Sequence, residues 1–482
     1  MMERLPPDRV NRTHVLWLGD AVPVGLHRHV LNLVPRAITA SELNDAAPTA
    51  CLLIIPVAPE IADASLRYGT LVGQARNHGL RIVLVPDRPV ACDELETYLH
   101  STNSLAVVKG VRRIGGFDDH LLDEAQRPPE GKGANRRLQL SGDVPDEDTT
   151  VLLQRAFEDA SALHLHAVQG GKSGAWVWRV HWHDGGGHPM PLPLLVKVAS
   201  VEKIAMERSN ARHIANLIPG RCRPGVHLDR GVEGATHGLM VFDFFNNAQG
   251  FDAAICSNPA VVLASLLGTT LKHVVEAARA GHSNVAQSLR DMKAFRTSPA
   301  LAAAADLAAV HVPELGSIET LDRRWRALPP SPHRVGPVHG DLHTGNLFLA
   351  PTSSEVLIID FGSFRAIAPA CADLACLEVS IVFPQGQGIR PPEIHDQIRT
   401  LYFVDDLPPA YGSSEMARLQ EVIRAIRQWA RTIEPDAAVL ALAQAAYLIR
   451  YASYEDSGAL EERALAYELA YTLLARVEAA YD

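Results

Sequence analysis

The 482-residue chain is 47% hydrophobic and carries 45 basic against 55 acidic side chains, a formal charge of −10. That composition can fill more than one core, roughly two to four domains by length, so disorder is not the default expectation. No Lys/Arg run or basic tail offers a continuous surface to phosphates, so nucleic acid is a poor expectation as partner.

Between Thr13 and Gly110, short apolar runs at 14–19, 51–56, 81–86 and 105–110 predict buried strands, with helices at 61–78 and 92–100 between them. The alternation predicts a small α/β domain with a parallel sheet over residues 1–122, its ligand surface at the carboxyl edge. With RAITA at 36–40 as a second strand, the arrangement resembles a response-regulator receiver domain, with Asp20 after the first strand and Lys109 ending the last. In that scheme the third strand ends in Ile55 and Pro56, where the family's phosphate-accepting carboxylate would stand. The resemblance therefore implies a degenerate receiver used for docking or sensing, while Asp20 and Lys109 by themselves read first as ordinary surface or structural residues.

Residues 123–149 combine Pro, Gly and charge without apolar periodicity, which predicts a linker. The rest, 150–482, opens with strands expected at 163–169, 175–182, 192–199 and 238–244 and a helix near 201–218, an N-lobe of about 150–245. Gly170, Gly171, Ser173 and Gly174 form a permissive turn between two strands, where backbone N–H groups could approach phosphate oxygens. The GKS triplet there is not a Walker loop, because His166 stands where that motif needs glycine and a strand follows instead of a helix. A plain hairpin is the alternative. Lys197 lies within an apolar strand and needs an anionic partner; Glu202 and Glu207 on the next helix are available, Glu207 being better placed. The strand 238–244 then runs into a polar, Gly-containing stretch of the kind a hinge between lobes requires.

PVHGDLHTGNLFL at 337–349 and EVLIIDFGSF at 355–364 carry the densest chemistry. Phosphoryl transfer needs a carboxylate beside the incoming hydroxyl and oxygen ligands that place magnesium on the phosphates. Asp341 suits the first task, and Asn346 and Asp360 the second. A hydrogen-bonded turn network capped by His339 and His343, with no metal, would use the same residues.

HGDLHTGN followed by IDFG and the later DLA around Asp373 resembles the aminoglycoside phosphotransferase and choline-kinase group of the protein-kinase-like superfamily. The resemblance implies an α+β two-lobed kinase-like domain that uses ATP and Mg²⁺. It implies Asp341 as hydroxyl-positioning base, Asn346 and Asp360 as magnesium ligands, His339 as support for the loop and Asp373 as its brace. His343 stands where many protein kinases have arginine or lysine. On the nucleotide side it implies Gly170, Gly171, Ser173, Gly174, Lys197 and Glu207.

Beyond 250 a helix-rich C-lobe is expected, with helices at 252–280, 298–308, 314–327, 388–404, 412–435, 437–451 and 458–478. Glu393, Asp396, Asp405, Asp406, Glu455 and Asp456 could frame an entrance that favours amines, or lie on solvated faces. A small-molecule hydroxyl is the expected acceptor, with a protein substrate or a regulatory partner of the N-terminal domain as further options. A nucleotide-binding scaffold with an inactive kinase-like pocket is the alternative function. Six dispersed cysteines (Cys51, Cys92, Cys222, Cys256, Cys371 and Cys376) without metal-binding spacing, and no signal-like or membrane-spanning segment, give a cytoplasmic location as the expectation.

Overall fold

The computed structural model describes residues 14–23, 26, 33–57, 61–86, 111–113, 133–168, 174–280, 318–329, 333–351, 353–384, 390–403, 415–453 and 459–481. Contacts divide the chain into two units, Met1–Arg208 with Gly225–Phe244, and Ser209–Pro224 with Phe245–Asp482.

In the first unit β1 (His14–Leu18), β2 (Val34–Ile38), β3 (Ala50–Val57), β4 (Arg81–Pro86) and β5 (Val111–Arg113) form a sheet in the order β2-β1-β3-β4-β5. Every pairing in it is parallel. Helix α1 (Ile61–Asn77) makes the crossover from β3 to β4. The apolar run of β3 explains its central place. Leu53 and Ile55 enter one apolar cluster and Leu52 and Ile54 another, so both faces of the strand are covered. The order is that of the flavodoxin-like doubly wound sheets. Asp20 is exposed just beyond β1. The helix expected at 92–100, the strand expected at 105–110 and Lys109 lie outside the described residues.

The second sheet of this unit contains β6 (Gln139–Ser141), β7 (Ala160–Ala167), β8 (Trp176–Asp184), β9 (Leu194–Ser200), β10 (Val232–Glu233) and β11 (His237–Asp243), in the order β10-β11-β9-β8-β7-β6. Helix α2 (Glu147–Ala156) precedes β7 and α3 (Val201–Ile214) follows β9. The stretch expected as a linker thus ends in structure. β6 pairs with β7 through an edge strand only half-buried at Leu140, too short for a periodic signal. The acidic residues that read as loop start α2: the Asp146 carboxylate accepts the Thr149 N–H at 2.6 Å, and Glu147 and Asp148 occupy the first turn. Carboxylates there satisfy otherwise unpaired amides and face the positive end of the helix dipole.

The two sheets are joined by a buried guanidinium. Arg155 of α2 donates through Nη1 to the Asn77 carbonyl at the end of α1 (2.5 Å) and to the Glu233 carbonyl of β10 (2.9 Å). Asn77 Oδ1 in turn accepts the Ala235 N–H at 2.8 Å, and Ala235 packs into the core of the parallel sheet.

The second unit is mainly helical. After β12 (Gln249–Gly250), the helix expected over 252–280 is three pieces, α4 (Phe251–Ser257), α5 (Pro259–Ser265) and α6 (Lys272–Ala280). Pro259 lacks the N–H that would continue α4, and a π-helical turn at Leu266–Thr270 separates the other two. Helix α7 (Ile318–Ala327) leads to β13 (Val335–Val338), β14 (Leu347–Leu349), β15 (Val356–Ile358) and β16 (Arg365–Pro369). The remainder is α8 (Ala372–Val382), α9 (Pro392–Phe403), α10 (Glu415–Ile433), α11 (Ala437–Ser453) and α12 (Leu460–Tyr481). The helix expected at 298–308 lies outside the described residues.

Ala-rich α11 is buried along nearly its whole length. It reaches α8 through polar contacts as well as packing. Glu378 of α8, fully buried, accepts from Arg427 of α10 (2.7 Å) and from Gln444 of α11 (2.8 Å). Three helices are thereby fixed in register beneath the loop that follows β13. Among the described residues no single helix is long and apolar enough to cross a membrane.

Candidate active site

In the first unit, the pleat of β9 sends Val196 and Val198 into the core and Lys197 to the opposite face. There its ammonium meets the Glu207 carboxylate of α3 at 2.8 Å, both side chains being largely shielded from water. Glu202, one turn earlier in the chain, is exposed. The glycine turn lies between the antiparallel strands β7 and β8, so strand-loop-strand is the local context. Gly174 has φ +66°, and among the described residues no atom lies within 4 Å of where a Cβ would stand. Gly170, Gly171 and Ser173 lie outside the described residues.

In the second unit, β13 delivers His339 and Gly340 to α8. The Asp373 carboxylate at the start of α8 accepts the His339 N–H at 2.6 Å and the Gly340 N–H at 2.8 Å. Gly340 has φ +79°, a turn that suits a residue without Cβ. The His339 ring accepts the Asp341 N–H at Nδ1 (3.3 Å) and so donates from Nε2 to the Ile359 carbonyl (3.0 Å). One imidazole therefore ties the loop of Asp341 to the strand end before Asp360.

Asn346 completes the tie. Its Nδ2 donates to the Asp341 carbonyl at 2.9 Å, and its own carbonyl accepts the Ile359 N–H at 3.0 Å. Asp360 follows with φ +61°, a left-handed conformation uncommon for a residue with a Cβ, and accepts the Gly362 N–H at 3.3 Å. Asn210 of α3 donates to the Phe361 carbonyl at 2.9 Å. These hydrogen bonds tie the loop of Asp341 and Asn346 to the strand end before Asp360, and they engage the Asn346 side chain through its NH₂ group.

Among the described residues, no three His, Cys, Asp or Glu side chains are arranged to cage a metal. The donor set still suits magnesium, which needs only one or two protein oxygens when substrate phosphates and waters complete its shell. Asn346 Oδ1 and the Asp360 carboxylate are hard oxygen donors of that kind.

His343 accepts the Gly345 N–H at Nδ1 (3.1 Å), and burial pushes its pKa below the ordinary value, with Asp341 opposing and Arg450 reinforcing the shift. It is therefore a poor substitute for the cation that many kinase loops carry. Arg450 of α11 brings one instead: its Nη1 lies 2.7 Å from Asp341 Oδ1. Sequence reasoning missed this residue, although a single charge in the otherwise apolar YLIRYAS required a partner. It also missed Asp252, whose carboxyl burial pushes upward against a bond from Thr344, and Ser380, which accepts the Thr344 N–H at 3.1 Å.

The acidic entrance expected for amines is not assembled among the described residues. Asp396 is paired with Arg399 at 2.8 Å and Glu393 is exposed, while Asp405, Asp406, Glu455 and Asp456 lie outside them.

The family model described as "APH: Phosphotransferase enzyme family" matches residues 164–406, just over half of the chain. Among solved structures, the chain is similar to aminoglycoside phosphotransferase APH(3'')-Id from Streptomyces rimosus, at 18% identity over 59% of this chain and 99% of that one, with TM-score 0.30. It is also similar to a putative fructosamine-3-kinase from Haemophilus somnus (11%, 64% and 90%, TM-score 0.35). An ethanolamine kinase from Plasmodium vivax is similar at 12% identity over 64% and 82% of the two chains, with TM-score 0.36. No curated protein matches the chain. The matched span takes in Lys197, Glu207, Asp341, Asn346, Asp360 and Asp373, and the chain belongs to the phosphotransferase enzyme family.

Proposed function

We propose that the protein transfers the γ-phosphate of ATP to a hydroxyl of a small molecule, with magnesium as cofactor. The observation that carries this reading is the assembly of Asp341, Asn346 and Asp360 by one hydrogen-bonded loop braced on Asp373. This reading is supported by a left-handed Asp360 that directly follows the strand end tied to the loop of Asp341 and Asn346.

In this reading Asp341 orients the acceptor hydroxyl and takes its proton as the oxygen attacks the γ-phosphorus and the bond to the ADP oxygen breaks. Asn346 and Asp360 hold magnesium, which when bound neutralises charge on the phosphates. Lys197 serves the nucleotide phosphates and Glu207 fixes its ammonium. Gly170, Gly171, Ser173 and Gly174 supply a turn that admits phosphate close to the backbone. His339 and Asp373 hold the loop. The N-terminal sheet is read as a degenerate receiver-like module, because β3 ends in Ile55-Pro56-Val57 without a carboxylate.

The test is transfer from radiolabelled ATP to a panel of hydroxyl compounds, with binding of Mg-ATP followed by calorimetry. Asp341→Asn lowers transfer by about 10²–10⁴-fold and leaves Mg-ATP binding largely in place, whereas Asp360→Asn weakens that binding. Undiminished transfer by Asp341→Asn would sink the assignment.

A further inference from the structure

The contact between Arg450 and Asp341 bears on the acceptor. Any hydroxyl positioned by Asp341 sits within a few ångströms of a guanidinium whose Nη1 is 2.7 Å from that carboxylate. Both partners are half-buried, so water screens the cation only in part. A carboxylate or phosphate on the acceptor can share that guanidinium with Asp341, whereas an ammonium group would compete with Arg450 for the carboxylate that the hydroxyl needs.

Further arginines lie at the same end of α11. Arg463 donates through Nε to the Ala452 carbonyl at 2.8 Å, and the Tyr451 side chain feels Glu462 first and then Arg390 and Arg463. Several described carboxylates of this unit are already paired. Glu462 holds Arg390 and His395, and Glu468 holds Arg399. Asp396 is also paired with Arg399, and burial works against the charge of Asp252.

From this geometry we infer that Arg450 is a specificity-determining residue that selects acceptors bearing an anionic group, a carboxylate or a phosphate, next to the attacking hydroxyl. The inference rests on the phosphotransferase reading. Arg450 releases part of its contact with Asp341 to the acceptor's anion, which leaves the carboxylate facing the hydroxyl. The acceptor oxygen then bonds to the γ-phosphorus, ADP departs with the former bridging oxygen, and the hydroxyl proton passes to Asp341.

Three small acceptors that share a terminal hydroxyl test this with the full chain: glycerate, neutral glycerol and the cationic aminopropanediol. The expected result is a kcat/KM about tenfold or more higher for glycerate than for aminopropanediol, with glycerol between them. Arg450→Gln brings the ratio near unity by raising KM for glycerate, and Arg450→Lys, which keeps the charge, restores most of it. Glycerol 3-phosphate beside glycerate separates a phosphate-bearing acceptor from a carboxylate-bearing one. Preference for aminopropanediol, or an Arg450→Gln variant that loses kcat equally on all acceptors and keeps the ratio, overturns the inference. So does failure of wild-type protein that binds Mg-ATP to bind any of these acceptors at tens of millimolar. Should the wild type not bind Mg-ATP at all, the phosphotransferase reading itself has failed and this inference falls with it.

Discussion

Lys197 and Asp341 are both charged groups held at the edge of a packed unit, but they are held by different means. Lys197 is met by the Glu207 carboxylate at 2.8 Å, an ion pair between a strand and the helix that follows it. Asp341 sits on a loop whose backbone is bonded to Asp373, His339 and Asn346, with its carboxylate also met by Arg450. In the proposed reading the lysine serves the nucleotide and the structure at once. On the loop after β13 that reading divides the two tasks: Asp341 faces the chemistry while Asp373 and His339 carry the framework.

Asp373→Ala is the strongest test of that division. It leaves the buried N–H groups of His339 and Gly340 without their acceptor, at about 1–3 kcal/mol each, so urea unfolding should show about 2–6 kcal/mol of lost stability. Transfer should fall as well, because the loop no longer holds Asp341 in place. A variant with normal stability and no transfer would instead make Asp373 part of the chemistry and break the comparison.

Lys197→Met comes next. Removing the ammonium leaves Glu207, 3% exposed, buried without its cation, a loss of about 3 kcal/mol in urea unfolding. The paired substitution Lys197→Met with Glu207→Leu should recover much of that stability without recovering Mg-ATP affinity. If calorimetry shows unchanged Mg-ATP binding in the folded double variant, the pair is structural only.

These two groups were not equally legible in the sequence. The Lys197–Glu207 pair follows from local rules, since a lysine in an apolar strand needs an anion and the next helix has one at a suitable turn. Asp341, Asn346 and Asp360 were legible because a short loop and the strand after it place them within twenty residues. Arg450 was not, because periodicity marks α11 as buried and says nothing about which distant loop receives its one charge. For the same reason the buried bond from Arg155 to the Asn77 carbonyl, which joins the two sheets of the first unit, could not be foreseen. The parallel sheet itself was plain, since only a strand covered on both faces has a use for a run such as CLLII.

His343 gives the smallest effect and sharpens the comparison within the loop itself. Burial holds its pKa below the ordinary value of 6.5, and Nδ1 is already occupied by the Gly345 N–H. In the unfolded chain the ring takes up a proton near its ordinary pKa, whereas the folded ring resists, so the unfolded state binds more protons on the acid side. The associated stability is complete above about pH 6.5 and is lost as pH falls toward the lower folded value, with a slope of at most about 1.4 kcal/mol per pH unit. His343→Gln should remove that component, and the loss of the loop bond should cost about 1 kcal/mol at neutral pH. Unfolding curves of wild type and variant between about pH 5 and 8 isolate it as a difference, since the other histidines are common to both. A difference that stays flat across that range would mean that folding leaves the His343 pKa at its ordinary value and that burial does not disfavour the charged ring.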